Sequence, residues 1–268
     1  MNVGVRPVAI EWMAEFYRYR ELFFFLVWRD VKIRYKQTLL GASWAVLQPF
    51  AMMVVFSLLF GRVANIDSEG VPYQVFSYAA MVPWTFFQYA MPLSSNSLIS
   101  NSKLISKVYF PRAIIPASAA LSGAVDFFIA AFILIFIMMY YHVPVQASLL
   151  LWPLFLLPLL VFTTALGMFF SSLNVKYRDI KYTIPFLVQI MMFLSPVIYG
   201  TSKLPGKYQT ILQFNPMVGI LDAFRAAALP TREINWPLFG LACAVSVAMF
   251  MLSAVYFYKT EREFADII

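Results

Sequence analysis

Arg29, Lys32, Arg34 and Lys36 crowd the approach to a long uncharged run, and cations so placed suit the capture of anions. A guanidinium offers parallel N–H donors to a phosphate, whereas a lysine ammonium acts as a point charge. In the same segment Phe24, Trp28, Val31 and Tyr35 recur at helical spacing on one face, with the cations on the other. The pattern predicts an amphipathic helix in the headgroup plane, its basic side toward water or anionic lipid; a simple topology anchor is the alternative. Lys103 and Lys107 form a second constellation at i and i+4, with Leu104, Ile105 and Val108 turned elsewhere before Tyr109, Phe110, Pro111 and Arg112. A short amphipathic helix ended by proline fits there, serving either as a docking knob for a cytoplasmic partner or as a solvated connector.

Asp126 interrupts an apolar run, where an ionisable group is costly and must face the bundle interior or water. A packing acid hydrogen-bonded to nearby Ser or Thr is its structural alternative. Further on, Asp222 and Arg225 stand three apart and can pair on one helical face. The uncharged stretch from Tyr208 to Leu221 is too short to span and suits a re-entrant or interfacial helix, broken in its middle by Asn215 and Pro216. Backbone that turns at membrane depth must be buried or line a wet cavity, so this loop would cover the outer mouth of a pathway.

Catalytic sets do not assemble from this inventory. His142 is the one histidine and lies at an outer turn, so neither a His-based metal site nor a Ser-His triad is available. Gly200 to Lys207 is one residue too long for a phosphate-binding loop, and Tyr208 stands where the hydroxyl residue belongs. No catalytic residue, metal or cofactor is expected in this chain. Cys243, the single cysteine, reads as an inert packed thiol.

Apolar runs must position these groups. The chain is 62% hydrophobic and 12% charged over 268 residues, without the polar face that a soluble domain needs. A bilayer core of about 30 Å takes roughly 20 apolar helical residues. Apolar runs of that order, one of them interrupted by Asp126, predict six crossings, at 39–60, 74–96, 114–139, 148–172, 183–201 and 236–258. No secretory signal is expected, because the first long apolar run follows a charged segment. The organisation expected is a cytoplasmic segment at 1–36 with the interface helix, a six-span domain at 37–260 and a cytoplasmic tail at 261–268.

Lysine and arginine set the orientation. One side receives Arg6, Arg18, Arg20, Arg29, Lys32, Arg34 and Lys36, then Lys103, Lys107 and Arg112, then Lys176, Arg178 and Lys181, and finally Lys259 and Arg262. The other side holds Arg62, Lys203, Lys207, Arg225 and Arg232. The positive-inside rule therefore predicts both termini in the cytoplasm. The net charge of +7 follows from that topology and from contact with anionic lipid, and is no argument for nucleic acid. Trp44, Trp84, Trp152 and Trp236 read as interfacial belts, and the remaining surplus of Phe and Tyr could line a channel in which rings stack on sugar faces.

The run RDVKIRYKQTLLGASWAVLQP, Arg29 to Pro49, resembles the entry to the first span in type-2 ABC transporter permeases that export polysaccharides, the O-antigen (Wzm-like) family with its capsule and teichoic-acid relatives. LISKVYFPR (Leu104 to Arg112), NVKYRDIKY (Asn174 to Tyr182), SPVIY (Ser195 to Tyr199) and the terminal EREFADII resemble further signposts of that family in the same order. The resemblance implies an all-α integral membrane protein of six spans with an interface helix, a cytoplasmic coupling helix and outer re-entrant helices. It also implies a dimer of two copies in the inner membrane, a separate ATPase in two copies that binds ATP and Mg, and a lipid-linked glycan as cargo. By resemblance Lys103, Leu104, Lys107, Tyr109, Phe110 and Arg112 would receive the ATPase stroke, and Trp28 to Lys36 would flank the entrance for a diphosphate headgroup. An ion-coupled carrier would instead need midplane coupling residues and a repeat, and an intramembrane enzyme clustered Asp, Glu or His.

Overall fold

The computed structural model describes residues 17–36, 41–200 and 211–267, and among them every regular element is helical. Helix α1 covers Arg20–Tyr35, α2 Trp44–Phe56 and α3 Tyr73–Ser100, with α2 continuing as a π-helix over Ser57–Val63. A single turn, α4, covers Ser102–Ile105; α5 (Ile114–Ser122) and α6 (Ala124–Tyr140) meet at Gly123. Then come α7 (Trp152–Lys176), α8 (Ile180–Phe193), α9 (Pro216–Ala228) and α10 (Trp236–Ile267). The segment resembling a phosphate loop, with Lys203, Lys207 and Tyr208, falls outside the described residues, as does Arg6.

Among the described residues four stretches are long and apolar enough to cross a membrane: Trp44–Val63, Ile114–Tyr140, Ala147–Lys176 and Trp236–Glu261. They carry the first, third, fourth and sixth predicted crossings. The second falls on α3, a 28-residue helix that is buried along nearly its whole length between α7, α5, α6 and α2. A helix surrounded by protein needs no lipid-facing stripe, so α3 tolerates Ser94, Ser95 and Ser97. Their hydroxyls donate to the carbonyls of Pro116 (2.7 Å), Met91 (2.7 Å) and Ser94 (2.6 Å). The fifth crossing is shorter than expected: α8 has 14 residues, which at about 1.5 Å each reach only ~21 Å. Its run continues past Phe193 as the turns around Ser195 and Pro196 and not as helix.

Close approach governs the interior. At Gly167 of α7 an added Cβ would lie 1.9 Å from Ser94 Oγ, so glycine lets α7 and α3 touch. Gly219 does the same for α9 and α10, where a Cβ would meet the Leu238 carbonyl oxygen at 2.6 Å. Trp84 and Trp152 are core residues and not belt residues, in contrast to expectation. Trp152 Nε1 donates to the Phe224 carbonyl at 3.1 Å, a partner that only burial against α9 provides. Trp44 and Trp236 remain exposed.

Candidate functional site

Two buried clusters divide the protein. The larger fills the bundle around α3; the smaller gathers Leu26 of α1, Ile105 and Phe110, Ile114 and Ile115 of α5, Val175 of α7, and Phe257 and Phe264 of α10. This second cluster is an apolar joint at which the segment containing Lys103, Leu104, Lys107, Tyr109, Phe110 and Arg112 meets α1. Phe110 is inserted in the joint, whereas Lys103, Lys107, Val108 and Tyr109 are exposed, Tyr109 to 85%. Leu104 packs at the margin of the joint. The backbone N–H of Arg112 donates to Glu261 Oε1 at 3.1 Å, and its guanidinium donates to the Glu261 carbonyl, tying the segment to α10. The predicted helix here is a single turn that ends at Ile105, before Pro111. Burial of Ile105 and Phe110 on the same joint bends the chain away from helical continuation.

The basic face of α1 is rearranged relative to expectation. Its buried positions, Leu26 and Val31, lie about 140° apart around the helix, so α1 is gripped from two sides and not laid down along one stripe. Phe24 and Trp28 are exposed, and Lys32 shares their side with its Nζ 5.4 Å from the Trp28 ring. Arg29 pairs with neighbouring Asp30 at 2.7 Å, and Lys36 is exposed. Arg34 leaves the rim altogether. Its guanidinium forms an ion pair with Asp126 and lies 3.4 Å from the centre of the Tyr89 ring. Arg34, Asp126 and Tyr89 line a small cavity together with Gln48, Thr85 and Gly123.

Asp126 is thus answered by a cation and not by the Ser or Thr hydroxyl expected for a packing acid. It stands in the first turn of α6, 9% exposed, with Phe127 and Phe86 beside it. At this depth an unpaired carboxylate would be strongly disfavoured, and pairing is what allows it to persist there.

The predicted outer loop contains the most buried helix. Every residue of α9 is buried, including Asp222 and Arg225. Asn215 caps it, with Oδ1 accepting from the Met217 N–H at 3.1 Å and Nδ2 donating to Ser195 Oγ at 3.2 Å, and Pro216 takes the first helical position. The expected Asp222–Arg225 pair does not form. Asp222 pairs with Arg232 at 2.9 Å, and Arg232 also reaches Glu69 at 3.2 Å from a turn in which Glu69 and Gly70 are left-handed, at φ 59 and 83. Arg225 turns the other way: Nη2 donates to the carbonyls of Pro196 (2.7 Å) and Val197 (3.0 Å), and Nη1 to that of Tyr199 (3.1 Å). Three carbonyls in one bend outcompete a single acid three residues back, because only a planar fork reaches all of them. Its carbon Cζ also sits 3.9 Å from the Phe76 ring centre, and Tyr73 Oη donates to the Ile198 carbonyl at 2.8 Å. Burial pulls the Arg225 guanidinium down to about 10, opposed by Asp222 and Glu69, so it stays cationic at neutral pH.

Among the described residues no His, Cys, Asp and Glu are grouped as a metal would require. What the arrangement offers is mechanical: an exposed knob on an apolar joint, a helix, α1, pinned into the bundle, and a braced bend on the far side.

Known proteins of similar sequence are export and transport proteins. The chain is 29% identical to an O-antigen export system permease protein of Myxococcus xanthus, over 97% of this chain and 100% of that one. It is 25% identical to an O-antigen export system permease protein of Klebsiella pneumoniae over 90% of this chain and 92% of the relative. A polysialic acid transport protein of Escherichia coli is 23% identical over 88% of this chain and 91% of its own length. Residues 21–229 match the family model described as ABC-2 type transporter. By that match the chain belongs to the ABC-2 type transporter family.

Proposed function

We propose that this chain is the permease subunit of an ATP-driven exporter that moves a lipid-linked polysaccharide from the cytoplasmic to the outer face of the inner membrane. The observation that carries the reading is the end-to-end similarity to O-antigen export permeases, 97% of this chain against 100% of one such relative. Two copies of the chain form the pathway across six spans each, both termini cytoplasmic, and two copies of a separate ATPase bind ATP and Mg. Capsule-type cargo is the second reading, favoured by the similarity to a polysialic acid transport protein.

The mechanism follows from a shift between conformations and needs no catalytic group in this chain. ATP closes the ATPase pair, which pushes on Lys103, Lys107, Val108 and Tyr109. Phe110 passes the push to the joint it shares with α1 and α10. On α8, Tyr182, Thr183, Phe186, Gln189 and Phe193 are exposed. Lipid is a poor neighbour for a glutamine amide, so this mixed aromatic and polar face suits the glycan pathway, and the rings stack on sugars. The exposed Lys32 and Lys36 and the half-buried Arg29, beside Trp28, flank the headgroup entrance.

The test is ATPase activity of the chain in lipid, alone and co-expressed with a candidate ATPase subunit from the same genome, with and without extracted lipid-linked glycan. Activity that appears only in the two-protein complex and changes with the glycan is expected. No stable complex and no glycan response would reject the reading. Reversing two exposed charges, Lys103→Glu with Lys107→Glu, should leave insertion intact and weaken assembly about tenfold or more, since both lie on the proposed docking surface.

A further inference from the structure

We infer that the Arg34–Asp126 ion pair is the strut that carries movement of α1 into the middle of the bundle, which makes both side chains positioning residues for transport. The inference rests on the reading of the chain as an ATP-driven permease. Helix α1 is held at two places of different character. Leu26 sits in the apolar joint with Ile105 and Phe110 of the docking segment. One helical span further on, Arg34 is inserted between Asp126 of α6 and the ring of Tyr89 on α3.

Apolar contacts are non-directional and permit sliding. A charge pair between aromatic walls has one good geometry and resists separation, because its partners are poorly solvated. A push that enters through Phe110 and tilts α1 as a rigid rod therefore reaches Asp126 through Arg34. Asp126 stands just beyond Gly123, where α5 ends and α6 begins. At that glycine an added Cβ would come within 3.2 Å of the Phe86 ring, so the two helices meet at a tight, side-chain-free junction about which α6 can tilt. Gln48 of α2 and Thr85 of α3 border the same cavity, so a shift of Asp126 acts where three helices meet.

Anchoring alone does not require charge. Leu26 and Val31 already bury α1, and an apolar pair of similar volume commonly replaces a buried ion pair without loss of stability. What the apolar pair lacks is direction, and direction is what a strut needs.

The experiment compares the apolar pair Arg34→Met with Asp126→Leu, the single Asp126→Asn, and the reversed pair Arg34→Glu with Asp126→Arg. Each is expressed in cells lacking the chromosomal copy. Native surface polysaccharide is measured per molecule of inserted permease, and ATP turnover in the purified complex with the ATPase. The apolar pair is expected to insert, assemble and hydrolyse ATP while export falls about tenfold, an ordinary size for a coupling free energy, and Asp126→Asn, which leaves the Arg34 cation unpaired, to export no better. The reversed pair should recover much of the export. Export by the apolar pair at the wild-type level overturns the inference. So does export that falls only in step with inserted protein and ATP turnover, which marks a purely structural pair, or a reversed pair that inserts normally and exports no better than Asp126→Asn. A wild-type chain that forms no ATPase complex rejects the permease reading itself, before any variant is compared.

Discussion

Arg225 shows how much one side chain can decide. It is 0% exposed, and its fork donates to three carbonyls of the bend at 196–199. Arg225→Ala removes the cation and leaves those carbonyls, together with Asp222 and Arg232, in a changed field. Loss of one partner from a buried charged network costs about 3–5 kcal/mol. The expected outcome is a marked fall in the unfolding midpoint of the detergent-solubilised protein, with Arg225→Lys recovering little, because one ammonium cannot reproduce a planar fork. An Arg225→Lys midpoint equal to wild type would show that charge alone suffices. Neither this site nor the Arg34–Asp126 pair was legible in the sequence as such. Periodicity reports neighbours on one helix, such as Asp222 and Arg225, whereas the actual partners come from segments distant in the chain.

Among the elements, the helices that depend on composition were the most legible. Long uncharged runs marked α2, the α5–α6 pair, α7 and α10, and α3 followed from its run although its serines make it less apolar. The end of α8 was not legible, because Leu194 to Gly200 stays uncharged while Ser195, Pro196 and the pull of Arg225 turn the backbone. Burial was the weaker guide for tryptophan, since an interfacial indole and a core indole such as Trp152 have the same pattern in sequence. Glycines separate packing from propensity. Gly219→Ala must push a Cβ to 2.6 Å from the Leu238 carbonyl oxygen, which belongs to backbone and cannot swing aside, so α9 and α10 must part. Overpacking of this kind costs about 1–3 kcal/mol. Gly240→Ala on α10 meets nothing within 4 Å and should be neutral or gain up to about 1 kcal/mol of helix propensity. Unfolding midpoints of the two variants in the same detergent check the contrast; equal midpoints would mean that α9 is not held as closely as the geometry requires.

At the scale of the whole molecule the unevenly divided cations predict an orientation, and the two ends of the bundle differ in construction. The end with Lys103, Lys107 and α1 is an apolar joint with an exposed knob; the end with Glu69, Asp222, Arg225 and Arg232 is closed by buried ionic and carbonyl contacts. The proposed docking surface would have to face the compartment that holds ATP, which leaves the braced bend for the side where the proposed pathway opens outward. Under the proposed reading the charge rule and the docking role both require the Lys103–Lys107 end to face the cytoplasm. The prediction is read with single cysteines in a Cys243→Ala background, at the exposed positions Lys107→Cys and Glu233→Cys. In intact spheroplasts a membrane-impermeant maleimide should label Glu233→Cys and spare Lys107→Cys, and in inside-out vesicles the order should reverse. Labelling of Lys107→Cys from outside would invert the topology and, with it, remove the docking segment from reach of any cytoplasmic ATPase.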